Sequence, residues 1–137
     1  MRLIKNLAED TYVRLAPGVA GIGVVAIRDI PKGVNPFRTV GKVRRPTTDL
    51  STSDVGKLPG AVRKLVTDFV EPDEEGNYTV PRQGMATIDT SWYINDSDTP
   101  NVSFIDNPSS DFVEFRTNQV IPKGTELTIR YRDYRKT

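Results

Sequence analysis

Apolar positions in this chain come in short runs broken by Gly and Pro, and few runs keep one period for long. Thr11-Tyr12-Val13-Arg14-Leu15 alternates and is rich in strand formers, which predicts a first strand. After the loop Pro17 to Gly21, Ile22 to Arg28 is almost wholly apolar and reads as a strand covered on both faces. Ile30-Pro31-Lys32-Gly33 recurs as Ile121-Pro122-Lys123-Gly124; Pro second and Gly fourth suit a type I turn between strands. Asn35 to Arg38 and Thr39 to Val43 are short strand candidates, with Pro36 confining the first to an edge or bulge. Thr47 to Asp54 is polar and reads as a loop. Pro59 fits a first helical position, and Val62, Leu65, Val66 and Phe69 recur at helical spacing. The expected helix therefore spans Pro59 to Val70, with that stripe toward the core and Arg63, Lys64 and Asp68 outward. An acidic turn, Glu71 to Gly76, ends it. Asn77 to Pro81, Met85 to Asp89, Val102 to Ile105, Phe112 to Arg116 and Leu127 to Tyr131 read as further strands, with a turn at Asn107 to Ser110. Many short strands and one helix predict a mainly-β chain.

At 137 residues the chain suits one domain, 1–137, that buries a core without staples. It has no cysteine, which excludes a disulfide framework and thiolate zinc sites. It has no histidine either, which removes the usual general base and the usual transition-metal ligand. Hydrolase triads and zinc-hydrolase chemistry fall away, and no metal site is expected. Lys and Arg number 19 against 18 acidic residues, a net charge of +1, without the basic excess of a dedicated nucleic-acid binder. No apolar run approaches membrane-spanning length and no signal-peptide pattern opens the chain, so an intracellular protein acting without membrane contact is expected. On that expectation the three Asn-x-Ser/Thr triplets, at Asn77, Asn95 and Asn101, are chance matches.

The stretch that stands out is Trp92-Tyr93-Ile94-Asn95-Asp96-Ser97-Asp98-Thr99-Pro100-Asn101, an aromatic entry into a run of short polar side chains. Such side chains bond to nearby backbone groups and order a loop. Asp96 and Asp98 stand two apart, but the Gly and distant Glu of a helix-loop-helix calcium site are missing. Gly21 and Gly23 admit two readings: a bulge or tight bend, or a place where a ligand lies against the backbone. They are not a dinucleotide fingerprint, since no third Gly and no helix follow.

Asn95-Asp96-Ser97-Asp98-Thr99-Pro100-Asn101 resembles the Asn-His-Ser-x-x-Pro-Asn signature of SET-domain protein lysine methyltransferases. Gly124-Thr125-Glu126-Leu127-Thr128-Ile129-Arg130-Tyr131 resembles that family's Gly-Glu-Glu-Leu-Thr-x-x-Tyr. Gly21-Ile22-Gly23-Val24-Val25-Ala26, with Asp29-Ile30-Pro31-Lys32-Gly33, is similar to its opening Gly-x-Gly and the turn that follows. Three matches in the right order cover about Tyr12 to Tyr134, with a divergent middle at residues 38–90. The compactness resembles viral and bacterial members.

The resemblance implies a fold of small sheets (β-clip-like) whose C-terminal segment forms a pseudoknot beneath a preceding loop. It implies S-adenosylmethionine as cofactor and a lysine-containing protein or peptide, possibly a histone tail, as substrate. That chemistry needs neither His nor metal: it needs aligned reactants, an uncharged amine and oxygens around the methyl carbon. By the resemblance Tyr131 takes the catalytic tyrosine's place. Gly21, Ile22 and Gly23 take the cofactor-contacting segment, Asn95 and Asp96 the cofactor-holding pair, and Tyr134 the trailing aromatic. Tyr93, Tyr131 and Tyr134 would line the lysine channel, and Tyr12 and Tyr78 are further candidates. Asp96 stands where the family has His, and Thr125 where it has a first Glu. A non-catalytic SET-like module that binds a peptide or protein is therefore the alternative. Oligomeric state is not legible, and the expected location is the cytoplasm or nucleus, of a host cell if the source is viral.

Overall fold

A computed structural model describes residues 2–39, 46–105 and 114–135, with the backbone alone at 134 and 135. In chain order the elements are α1 (Arg2–Asp10), β1 (Val13–Gly18), β2 (Gly21–Ala26), β3 (Thr47–Ser51), α2 (Thr52–Gly56), α3 (Gly60–Phe69), β4 (Asn77–Pro81), β5 (Asn95–Asp96), β6 (Val102–Ile105), β7 (Glu114–Thr117), β8 (Glu126–Ile129) and α4 (Tyr131–Arg135). Two 3₁₀ turns lie at Met85–Thr87 and Thr90–Tyr93. All but the first residue of the expected strand Thr39 to Val43, the Asn107 to Ser110 turn and Phe112-Val113 lie outside the described residues. The chain divides into two compact units, one of Met1–Arg44 and Tyr93–Thr137, the other Arg45–Trp92.

The first unit is built on a four-stranded sheet in the order β1-β2-β8-β5. β1 and β2 form a tight hairpin, Gly18 opposite Gly21, so the expected loop shrinks to Val19 and Ala20. β8 pairs antiparallel with β2 (Val24 opposite Leu127) and parallel with β5 (Asn95 opposite Thr128). The last strand in sequence thus lies inside the sheet, between the opening hairpin and the polar loop. The architecture is the set of small sheets that the resemblance implies. β6 and β7 form a separate antiparallel pair.

One sheet face makes the core. Tyr12, Val24, Ala26, Ile30, Ile94, Val102, Ile121, Leu127 and Ile129 are all buried and form one cluster. At about 1.5–3 kcal/mol for each fully buried aliphatic side chain, this cluster is the main source of the unit's stability. Strand β2 is not covered on both faces throughout: on one face Val24 and Ala26 are buried but Ile22 is 51% exposed, and on the other Val25 is half-buried.

The two Ile-Pro-Lys-Gly copies meet each other. Ile30 N donates to Ile121 O (2.8 Å) and Ile121 N to Ile30 O (2.9 Å), and both side chains are fully buried. The second turn sits one residue later than expected, because Thr125 N donates to Pro122 O and Gly124 is the third residue with φ of 86°. A left-handed third position is what a type II turn requires, so the Gly is there for its φ.

Further differences are local. Asn35 to Arg38 is a turn in which Phe37 N donates to Asn35 Oδ1 (2.9 Å), because the Asn side chain offers the backbone an alternative to a ladder. Tyr131 opens α4 instead of ending a strand, and α1, α2 and α4 join the one helix expected.

In the second unit β3 and β4 pair antiparallel, from Thr47 opposite Pro81 to Ser51 opposite Asn77. The supposed loop at Thr47 to Asp54 is a strand and a helix start, joined by a capping box: Asp54 N donates to Ser51 Oγ and Ser51 N to Asp54 Oδ2. Met85 to Asp89 is not a strand. Thr87 N and Thr87 Oγ1 both donate to Gly84 O, which winds the segment into a 3₁₀ turn. Helix α3 forms where expected, but only Val66 of its stripe is buried, with Val62 and Leu65 exposed. Among the described residues no helix is long and apolar enough to cross a membrane.

Candidate functional site

Four short backbone segments converge at the interior strand. Asn101 joins two of them: its Nδ2 donates to Glu126 O and its Oδ1 accepts from Thr128 N, both at 2.9 Å. One side chain thereby does the work of a neighbouring strand. Ser97 N donates to Ile129 O (2.8 Å) and Arg130 Nη2 to Asp98 O (2.8 Å), so the polar loop is tied along the whole of β8. The polar side chains of this run serve two ends: Ser97 Oγ bonds locally, accepting from Thr99 N (3.0 Å), while Asn95, Asp96 and Asn101 reach β8 and the residues after it.

The strand then delivers Tyr131. Its phenol donates to Ile94 O (2.5 Å), and its backbone N donates to Asp96 Oδ1 (2.7 Å). Tyr131 is thus gripped at both ends by the residues flanking Asn95. Asp96, in the place of the family's His, has a definite job here. Its carboxylate satisfies the first N–H of α4, a group that no helix can satisfy internally.

Asn95 is half-buried, and its Nδ2 donates to Glu126 Oε2 (2.6 Å). The other carboxylate oxygen accepts from Val19 N (3.0 Å) in the hairpin turn. The same carboxylate fills the side-chain space of two glycines. A Cβ at Gly18 would come within 2.5 Å of Glu126 Oε2, and one at Gly23 would overlap that atom and lie 2.8 Å from Asn95 Nδ2. Gly21 is different: its φ is 91° and nothing lies within 4 Å of its missing Cβ. The glycines that sequence treats as one motif therefore have separate reasons, a hairpin turn at Gly21 and room for Glu126 at Gly23.

The structure brings Gly21, Gly23, Asn95, Asp96 and Tyr131 to one end of the sheet. Ile22 sits among them by its backbone, while its register opposite Pro17 puts its side chain on the other sheet face from Gly23. Tyr93 and Tyr131 both pack partly buried against the core cluster. Tyr134 lies in α4 three residues after Tyr131, and its side chain is outside the described residues. Tyr12 is a core residue, 6% exposed, with the Arg28 guanidinium 5.2 Å from its ring centre. Tyr78 belongs to β4 of the other unit, opposite Leu50.

Sequence reasoning missed Glu126 as a site residue, although it stands inside a motif already quoted. The available signal was an acidic residue at the start of an otherwise apolar-alternating strand. A cavity of about 230 Å³ is lined by Pro100, Val102, Phe104, Ile129, Arg130 and Asp133 among others, and includes none of the predicted site residues. No group of acidic residues suited to a metal ion occurs among the described residues.

The family model of the SET domain matches residues 21–132. No curated protein matches the chain in sequence. Among solved structures, a Plasmodium falciparum protein assigned as a histone methyltransferase superposes with a TM-score of 0.50 at 17% identity, covering 88% of this chain and 93% of that one. A humanized mutant of the Chaetomium thermophilum Polycomb Repressive Complex 2, bound to the inhibitor GSK126, gives a TM-score of 0.52 at 20% identity. That match covers 93% of this chain and 16% of the other.

Proposed function

This chain belongs to the SET-domain family, and from that premise we propose that it transfers a methyl group from S-adenosylmethionine to a lysine side chain of a protein, with a histone tail as candidate substrate. The observation that carries the reading is the grip on Tyr131. Its phenol lies on the carbonyl of Ile94, directly before Asn95, so the two motif segments meet at one hydroxyl.

The residues present fit the cofactor. Gly21 offers open backbone, and Asn95 and Glu126 supply acceptors suited to a cationic amino-acid end. Gly21, Ile22, Gly23 and Asn95 would hold that end, Asp96 would meet the adenine through its backbone, and Tyr134 would close the pocket. When bound, S-adenosylmethionine supplies an electrophilic methyl carbon on a cationic sulfur.

The chain's own residues do the rest. With its proton directed to Ile94 O, Tyr131 Oη presents lone pairs elsewhere, and an oriented oxygen stabilises positive charge at carbon without reorganising. Tyr93 and Tyr131, packed against the apolar cluster, would wall the lysine path, and the family resemblance assigns Tyr134 to the same channel. An apolar wall disfavours the ammonium and lowers the lysine pKa, which presents the amine uncharged. The proposed place of action is the cytoplasm or nucleus, of a host cell if the source is viral.

A second reading, a non-catalytic module that binds a peptide or partner protein, is favoured by one observation: Asp96 replaces the family's His and is committed to Tyr131 N. The deciding assay is transfer of labelled methyl to histones and other lysine-rich proteins, with cofactor affinity measured in parallel. Transfer establishes the enzyme. Binding without transfer to any substrate leaves the module reading, and absence of cofactor binding removes the methyltransferase.

A further inference from the structure

Asn95 bears an amide with two different ends, a donor at Nδ2 and an acceptor at Oδ1. Glu126 decides which end faces the site. A carboxylate only accepts, so the atom 2.6 Å from Glu126 Oε2 has to be Nδ2. The amide is then fixed, with Oδ1 turned away from Glu126. Among the described residues nothing donates to Asn95 Oδ1, and it is not sealed from solvent. Glu126 is itself held firmly, by Val19 N at 3.0 Å and by a seat between Gly18 and Gly23 that no larger residue leaves open.

We propose that Glu126 is a positioning residue: it locks Asn95 with Oδ1 toward the cofactor, so that the site selects a ligand bearing an α-ammonium group. This rests on the methyltransferase reading and deepens it. The carboxylate adds negative charge beside the same spot, so orientation and electrostatics favour the same cationic group. Gly18 and Gly23 serve this arrangement by giving the carboxylate room. The missing side chain at Gly23 is accounted for by Glu126, not by the ligand alone.

Glu126→Gln is the informative variant because it keeps size and shape. Val19 N–H is a donor and pairs with the new Oε1 rather than with an NH2 group, which leaves the new Nε2 facing Asn95. The Asn95 amide must then turn over, presenting Nδ2 to the ligand. The experiment titrates the 137-residue chain calorimetrically with S-adenosylhomocysteine and with its analogue lacking the α-amino group. The parent should prefer the amino form by about ten- to a hundredfold, the scale of one charge-assisted hydrogen bond. The Glu126→Gln chain should lose that preference through weaker binding of the amino form alone. A merely structural Glu126 would weaken both ligands equally, and that result overturns the proposal.

A second readout needs no ligand. In the amide NMR spectrum one Asn95 Nδ2 proton should lie downfield in the parent and return toward its ordinary position in Glu126→Gln; an unshifted parent signal also overturns the proposal. Equal affinity of the parent for both ligands would sink the role of Glu126 and leave methyl transfer standing. A parent that binds neither ligand ends both readings.

Discussion

The two compact units hold themselves together by different means. The unit of Met1–Arg44 and Tyr93–Thr137 buries nine apolar side chains in one cluster, and its polar ties span most of the chain, as between Val19 and Glu126. The Arg45–Trp92 unit buries only Val55, Val66 and Val80 among its apolar residues. It depends more on short-range bonds, the Ser51–Asp54 box and Glu75 N and Asn77 N on Asp73 Oδ1, with Thr79 Oγ1 on Asp49 Oδ1 tying β4 to β3. The difference teaches where a site can be built. Groups that must hold a fixed geometry sit on the unit whose core over-determines their positions, and the predicted site residues apart from Tyr78 do.

Mutations can break this comparison. The largest effect is expected in the cluster: Ile121→Ala should cost about 2–5 kcal/mol in urea unfolding, as a large-to-small change at a fully buried site. Leu65→Ala, 42% exposed in the other unit, should cost far less. Equal costs would remove the distinction between the units. Tyr131→Phe should slow methyl transfer by about two to three orders of magnitude, or about 2.7–4 kcal/mol, with cofactor affinity nearly kept. It also leaves the Ile94 carbonyl without its phenol donor, so a stability loss of about 1 kcal/mol should accompany it. Asn101→Ala strips partners from Glu126 O and Thr128 N together and should cost about 1–3 kcal/mol in the same unfolding assay. Ser51→Ala tests the other unit's dependence on local bonds and should cost about 0.5–2 kcal/mol. Lys64→Ala breaks only an exposed pair with Asp68 and should change stability by less than about 1 kcal/mol.

Legibility ran opposite to locality. The unit with long-range contacts was read better, because Asn95 to Asn101 and Gly124 to Tyr131 resemble a known pair of segments and so announced their meeting. Hydrophobic pattern alone would not have placed β8 between β2 and β5, since alternation reveals a face and not a neighbour. The locally bonded unit was misread at Met85 to Asp89, where five residues are too few to separate a strand from a 3₁₀ turn. It was misread again at Thr47 to Asp54, where polarity hid a strand whose partner is β4. Within the site, the Asn95–Glu126 hydrogen bond was invisible because a carboxylate facing into a glycine seat is a fact of register, and nothing in composition marks it.

The place of β8 inside its sheet has a consequence for the chain as it leaves the ribosome. β2 can pair with β1 as soon as the hairpin is made, but its other edge has no partner until residues 126–129 have emerged. Until then Val24 and Ala26 lack Leu127, and an open strand edge stays available to other chains. The Ile30–Ile121 bridge closes equally late. Sheet completion therefore waits on β8 and is slow relative to hairpin formation, since its contacts carry the higher loop-closure cost. Emergence of residues 126–129, not synthesis of the hairpin, sets when the sheet can close.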